Sequence, residues 1–303
     1  MEKLIIAVGL NENVSREQNP NVPITPEEIA QDVADCVEAG ASVIHLHARD
    51  PSSGEPRLND AGLYLDIFHA IRERVDVPCY PTYPTYLDCD ERYQHVVALG
   101  EDPASALEIA PVIGGTTNLG YMDPQQRRLL TGPDPAYSVL YNPYAYMQSH
   151  LEFAREHDLW VSHDIFEPGM VRNAIALWEM GEYRRPMLLK FFMAENFTFG
   201  FPPEVRYLDT LVSMLPDTLD CEWLFLPFDV GFERAWSLWT WCIENGGHVR
   251  VGVGDNPAGS GYLPTNAQRV HQIAEFARGR GREVASIAGV RKRFRPVEMR
   301  DAR

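Results

Sequence analysis

At 303 residues, with 45% hydrophobic side chains, the chain is long enough to bury a full core, and its length leaves either two domains or one large α/β domain. Its formal charge of −16 argues against a nucleic-acid partner, because phosphate binding needs basic surface and the basic cluster Arg291-Lys292-Arg293-Arg295 reads as a short solvated tail. With no charged leader and apolar core region after Met1, no apolar run of roughly 18 residues, and five scattered cysteines (Cys36, Cys79, Cys89, Cys221, Cys242) without a C-x-x-C pair, the expectation is a cytoplasmic protein with reduced thiols and no membrane association.

Leu4–Val8 predicts a first strand. Thr25-Pro26-Glu27-Glu28 is a capping-box pattern with proline at the first helical position, so a helix is expected from Pro26, with Ile29, Val33, Cys36 and Val37 at helical spacing and Gly40 as the stop. Next comes the apolar run ending in His45-Leu46-His47. The alternation then continues with a helix near Asn59–Arg74, a strand at Val77–Tyr80, a helix near Glu91–Leu99 and a strand at Ala106–Ala110. After a long loop, a helix is expected over Pro143–Glu156 and a strand over Leu159–Phe166. Helices near Gly169–Met180, Pro203–Met214, Phe232–Asn245 and Thr265–Arg278 interleave with strands at Met187–Phe192, Glu222–Leu226 and His248–Val253. Eight strands alternating with helices, without a repeat or linker, predict a single (β/α)8 TIM barrel over residues 1–303. A doubly wound sheet is the competing fold, but no Gly-x-Gly-x-x-Gly follows the first strand.

In a barrel the active site lies at the C-terminal ends of the strands, and the chemically suggestive residues fall there. His45 and His47 end strand two, Thr82 follows strand three, Asp164 and Glu167 end strand five, Glu195 follows strand six, Asp229 follows strand seven, and Arg250 with Asp255 end strand eight. His45 and His47 stand two residues apart on a strand, so their side chains point the same way and offer two nitrogens to a divalent metal; the alternative is a pair of hydrogen-bonded core histidines. Gly246 to Asn256 places Arg250 and Asp255 at one strand end, either as a salt bridge or as a catalytic pair. Charge focusing for an anionic ligand in an acidic protein makes Arg49 and Arg250 candidates. The aromatic stretches Tyr80 to Tyr86 and Tyr137 to Tyr146 read mainly as packing, with some residues available to line an apolar pocket.

Taken together, Asn19-Pro20-x-Val22-Pro23, Ala39 to Asp50, Gly246 to Asn256 and Gly281-Arg282-Glu283-Val284-Ala285 resemble the β-keto acid cleavage enzymes, from the first strand to near Arg291. The resemblance implies a zinc-dependent (β/α)8 barrel, forming homotetramers, that converts a β-keto acid and acetyl-CoA into acetoacetate and a new acyl-CoA. It implies that His45 and His47 bind Zn2+ or another divalent metal, that Arg250 and Asp255 act together in proton transfer, and that Thr82 binds the substrate carboxylate. The segment Glu12-Asn13 corresponds to the loop that recognises the substrate's distal group, and Asn13, standing where an acid recognises an amine, implies that an aminated substrate is not preferred.

The departures from the family pattern are equally specific. The resemblance implies a third zinc ligand, a glutamate, where this chain has Gly254, and the candidates to replace it are Asp255, Glu12, Asp164 and Glu195. Pro111 occupies a hydroxyl-bearing position after strand four, with Thr116 and Thr117 close by. Ser162-His163-Asp164 replaces an alternating pair of glutamates, so Asp164 retains an acid and becomes a third catalytic candidate. Two rival readings follow: a metal-dependent hydrolase on the same fold, whose ligand set would need a later histidine such as His163, and an altered family member that binds ligand without turnover.

Overall fold

The computed structural model describes residues 2–85, 87–130 and 139–296. Tyr86 and Tyr137 of the two aromatic stretches, and the last seven positions of the chain, lie outside the described residues. Strands β1 (Ile6–Gly9), β2 (Val43–Leu46), β3 (Cys79–Pro81), β4 (Ile109–Ile113), β9 (Trp160–Ile165), β10 (Met187–Ala194), β11 (Cys221–Phe228) and β12 (His248–Val251) form one parallel sheet in the order β3-β2-β1-β12-β11-β10-β9-β4. Its two ends, β3 and β4, lie side by side, so the sheet curls into a nearly closed barrel. Helices α1 (Pro26–Ala39), α2 (Ala61–Arg72), α3 (Cys89–Glu101), α4 (Tyr144–Glu156), α5 (Pro168–Glu179), α6 (Val205–Ser213), α7 (Phe232–Glu244) and α8 (Asn266–Gly279) follow the strands. This is the expected (β/α)8 barrel.

Local chemistry sets the boundaries. The Thr25 hydroxyl accepts from the Glu28 backbone N–H while the Glu28 carboxylate reaches back to the Thr25 N–H, completing the capping box that opens α1. β4 begins three residues later than its expected start, because Ala106 takes a left-handed φ of 48° and cannot extend the strand. The long loop after β4 contains two small hairpins, β5 (Thr117–Asn118) with β8 (Val139–Leu140) and β6 (Tyr121–Asp123) with β7 (Arg128–Leu130).

A ninth helix, α9 (Ile287–Arg293), corrects the reading of a solvated basic tail. Arg291 binds Glu108 and Asp76, Arg293 binds Glu222 and Asp220, and Phe294 stacks on Trp160 with ring centroids 4.1 Å apart, so the segment is docked across the N-terminal face of the barrel. No helix among the described residues is long and apolar enough to cross a membrane.

Parallel pairing fixes which side chains share the interior, since paired residues point the same way. The register joins Ala7 to Arg250, Gly9 to His45, His45 to Tyr80, Ile113 to Asp164, and Asp164 to Lys190. His45, Tyr80, Asp164, Lys190 and Arg250 therefore face one another inside the barrel, and residues at odd offsets from them face the helices.

Candidate metal and active centre

His45 lies in β2, and His47 follows one residue after its end. Both are 6% exposed, with ring centroids 5.2 Å apart. Glu12, on the loop after β1, brings a carboxylate to both imidazoles: Oε1 lies 3.2 Å from His45 Nε2 and Oε2 lies 2.6 Å from His47 Nε2. Glu12 adopts a left-handed φ of 29°, uncommon for a non-glycine residue, and its loop is tied to the end of β2. The buried Asn11 side chain accepts from the His47 N–H at 2.9 Å and donates to the His47 carbonyl at 2.9 Å and to the Pro23 carbonyl at 3.1 Å.

Arg250 and Asp255 form the second half of the centre. The guanidinium donates from Nε to Asp255 Oδ2 at 2.7 Å and from Nη2 to Asp255 Oδ1 at 2.8 Å, and Nη2 also pairs with Glu12. Burial pushes the Asp255 carboxyl up to about 7, against the pull of Arg250. For Glu12 burial is again the largest single influence and acts upward, but Arg250, His47 and His45 together outweigh it and hold the carboxyl well below its usual range. Burial lowers the His45 imidazole well below its ordinary value, keeping it neutral, the form that ligates metals.

Asp164 and Lys190 meet on the opposite wall. Lys190 Nζ lies 2.5 Å from Asp164 Oδ1, donates to the Tyr80 hydroxyl at 3.1 Å and sits 4.7 Å from the Tyr80 ring centroid. The Tyr80 ring in turn lies 4.6 Å from that of His45. Burial raises the Asp164 carboxyl; for Lys190 burial acts downward, but Asp164 and Tyr80 outweigh it and raise the ammonium. Sequence reasoning missed Lys190 and Tyr80. The available signal for Lys190 was a lone charge in the apolar strand Met187–Ala194.

The remaining candidates are more dispersed. Thr82 stands two residues beyond Tyr80, half-buried at the mouth, its N–H donating to the Leu46 carbonyl at 3.2 Å. Asn13 is exposed on the loop after β1. Arg49 is buried and donates from Nε to the carbonyl of Gly54 and from Nη1 to those of Asn11 and Val14. Glu167 accepts from the Thr117 hydroxyl at 2.7 Å, Glu195 pairs with Arg234, and Asp229 accepts from Asn196. His163 sits at an odd offset from Asp164 and turns to Tyr183 in the outer layer, so it does not join His45 and His47.

The residues present fit a metal ion. One nitrogen each from His45 and His47 and one oxygen from Glu12 lie within 4.8 Å of one another, and His47 Nε2, though close to Glu12, makes no hydrogen bond. Two imidazoles and one carboxylate are the donor set of many catalytic zinc sites. The pairings suit a cation: among the described residues three carboxyl groups, Glu12, Asp255 and Asp164, share the two guanidinium and ammonium partners Arg250 and Lys190.

Fold and site together define a TIM barrel with a candidate metal centre at its C-terminal mouth. Residues 3–295 match the model of the β-keto acid cleavage enzyme family, and the chain belongs to that family. It is 26% identical over 312 residues to 3-dehydrocarnitine:acetyl-CoA trimethylamine transferase of Rhizobium meliloti (strain 1021), covering 95% of this chain and 93% of that protein. It is 28% identical over 298 residues to 3-keto-5-aminohexanoate cleavage enzyme of Acetoanaerobium sticklandii, covering 96% and 98%. Among solved structures, the apo structure of ObcA superposes with a TM-score of 0.72 at 16% identity, over 91% of this chain and 65% of that one, a likeness of fold.

Proposed function

We propose that the protein condenses a β-keto acid with acetyl-CoA, giving acetoacetate and a new acyl-CoA, with Zn2+ held by Glu12, His45 and His47. The observation that carries this reading is the Arg250–Asp255 pair set beside the three-donor group. Bound there, the metal supplies Lewis-acid polarisation of the substrate's carbonyl and carboxylate oxygens. Asp255, oriented by Arg250 and poised near neutrality, removes the proton from the carbon between the two carbonyls. The resulting carbanion equivalent attacks the acetyl-CoA thioester and expels the CoA thiolate. That thiolate then attacks the original keto carbon; cleavage of the adjacent C–C bond leaves the substrate's acyl group on CoA and its electron pair on the acetoacetate carbon, which takes back the proton held by Asp255 as acetoacetate is released.

Thr82 at the mouth takes the substrate carboxylate, and Asn13 at the rim meets the distal group, which disfavours a substrate carrying an amine. Asp164, neutralised by Lys190, balances charge on the far wall and is assigned no proton-transfer step. The Glu12 carboxylate supports a rebuilt metal site over the altered, non-turning member that Gly254 raised. A homotetramer is the assembly expected from the family, to be measured by light scattering. The decisive assay offers purified, zinc-loaded protein a panel of β-keto acids with acetyl-CoA and follows acetoacetate and acyl-CoA together. Equal formation of both supports the proposal; absence of both across neutral, acidic and aminated substrates refutes it.

A further inference from the structure

The Glu12 carboxylate reaches the two imidazoles from an unusual backbone position. Its left-handed φ of 29° is strained for a residue with a Cβ, and the surroundings must offset that cost. Two side chains hold that turn. Asn11 pairs with the backbone of His47 as a neighbouring strand residue would, through one accepted and one donated hydrogen bond, both 2.9 Å. Arg49 grips the other side of the same residues, donating from Nη1 to the carbonyls of Asn11 and Val14 while Nε anchors to Gly54 at 2.7 Å. Asn11 and Arg49 thus tie the Glu12 loop to the histidine-bearing segment through hydrogen bonds.

Position 254 completes the arrangement. A Cβ added to Gly254 would stand 2.7 Å from Glu12 Cγ, 2.7 Å from the Asn11 nitrogen and 2.8 Å from the Gly9 oxygen. These are closer than real Cβ contacts, and two of the three are backbone atoms. A side chain at 254 would occupy the space through which Glu12 extends.

We infer that Asn11 and Arg49 are positioning residues that hold the Glu12 carboxylate against His45 and His47, and that Gly254 keeps open the space this carboxylate crosses. The inference rests on the metal-site reading above. Its test uses Co2+ and Zn2+ as probes of the full-length protein, with the visible cobalt spectrum reporting the ligand set and competition titration reporting affinity. Glu12→Gln tests the reading itself: unchanged affinity and spectrum would refute the site. Given a weakened Glu12→Gln protein, Asn11→Asp, Arg49→Lys and Gly254→Ala are each expected to bind zinc about 10- to 100-fold more weakly. Their cobalt spectra are expected to shift towards that of Glu12→Gln, and Arg49→Lys should retain more affinity than Arg49→Ala. Thermal melting of the metal-free forms identifies any variant that fails to fold, and the remaining variants decide. Wild-type affinity and spectrum in the folded variants would overturn the inference.

Discussion

Arg250 grips both carboxylate oxygens of Asp255 through two separate nitrogens, at 2.7 and 2.8 Å, within a buried pocket. Only a planar fork can make both bonds, so the pair fixes the orientation of the carboxylate as well as its charge. Asp255→Asn should keep the fold and zinc affinity while lowering kcat by roughly 10^2- to 10^4-fold. Arg250→Lys should also be costly, because an ammonium cannot hold both oxygens. Near-wild-type turnover by Asp255→Asn against the best substrate would assign the base elsewhere.

Gly254→Glu should weaken zinc binding. The contacts at 2.7–2.8 Å that a Cβ meets there belong partly to backbone, so the new side chain displaces the Glu12 loop before its carboxylate reaches the imidazoles. The expected outcome is lower zinc affinity together with a lower melting temperature. Tighter binding would show that the loop yields and that position 254 can supply a ligand.

Lys190→Met should destabilise the protein by about 3–5 kcal/mol, because it leaves Asp164 buried without its cation. The double variant Lys190→Met/Asp164→Asn should recover much of that loss. Additive losses in urea denaturation would mean that the two groups do not act as a pair.

Stability should fall as pH rises from about 4 to about 7 through Asp32. Burial raises its carboxyl to about 7 from a reference of 3.8, while Asn266 donates to it at 2.6 Å. The folded state therefore binds more protons than the unfolded state across that window, and the stabilising contribution is present at low pH and lost on deprotonation. Asp32→Asn should raise the melting temperature more at pH 8 than at pH 5; an equal effect at both would exclude this titration.

The barrel was legible because strand and helix periods alternate from Leu4 onward, and the two histidines declared their shared face by spacing alone. The positions of Arg250 and Asp255 were legible for the same reason: both fall at one strand end. Glu12 was readable as a candidate but not as the residue touching both imidazoles, since its approach depends on a left-handed turn and a glycine 242 positions away. The bonds of Arg49 to backbone carbonyls were not legible, because a buried arginine that serves the backbone has the same one-letter signature as one awaiting an anion. Lys190 and Asp164 meet only through the register of β10 against β9, a tertiary relation that no local pattern contains.

The docking of α9 bears on how the barrel would open. Among the described residues β3 and β4 share no backbone ladder, and Arg291 binds both Asp76, just ahead of β3, and Glu108, just ahead of β4. One guanidinium thus acts as a clasp across the seam that lacks backbone cross-links, while Arg293 fastens the same helix to β11. Hydrogen exchange should find the amides flanking this seam the first to lose protection in Arg291→Ala, ahead of those in β10 and β11. The weak line in the wall and its fastening lie at the end of the barrel opposite the candidate centre, so loosening the clasp should change how the protein unravels before it changes what the centre binds.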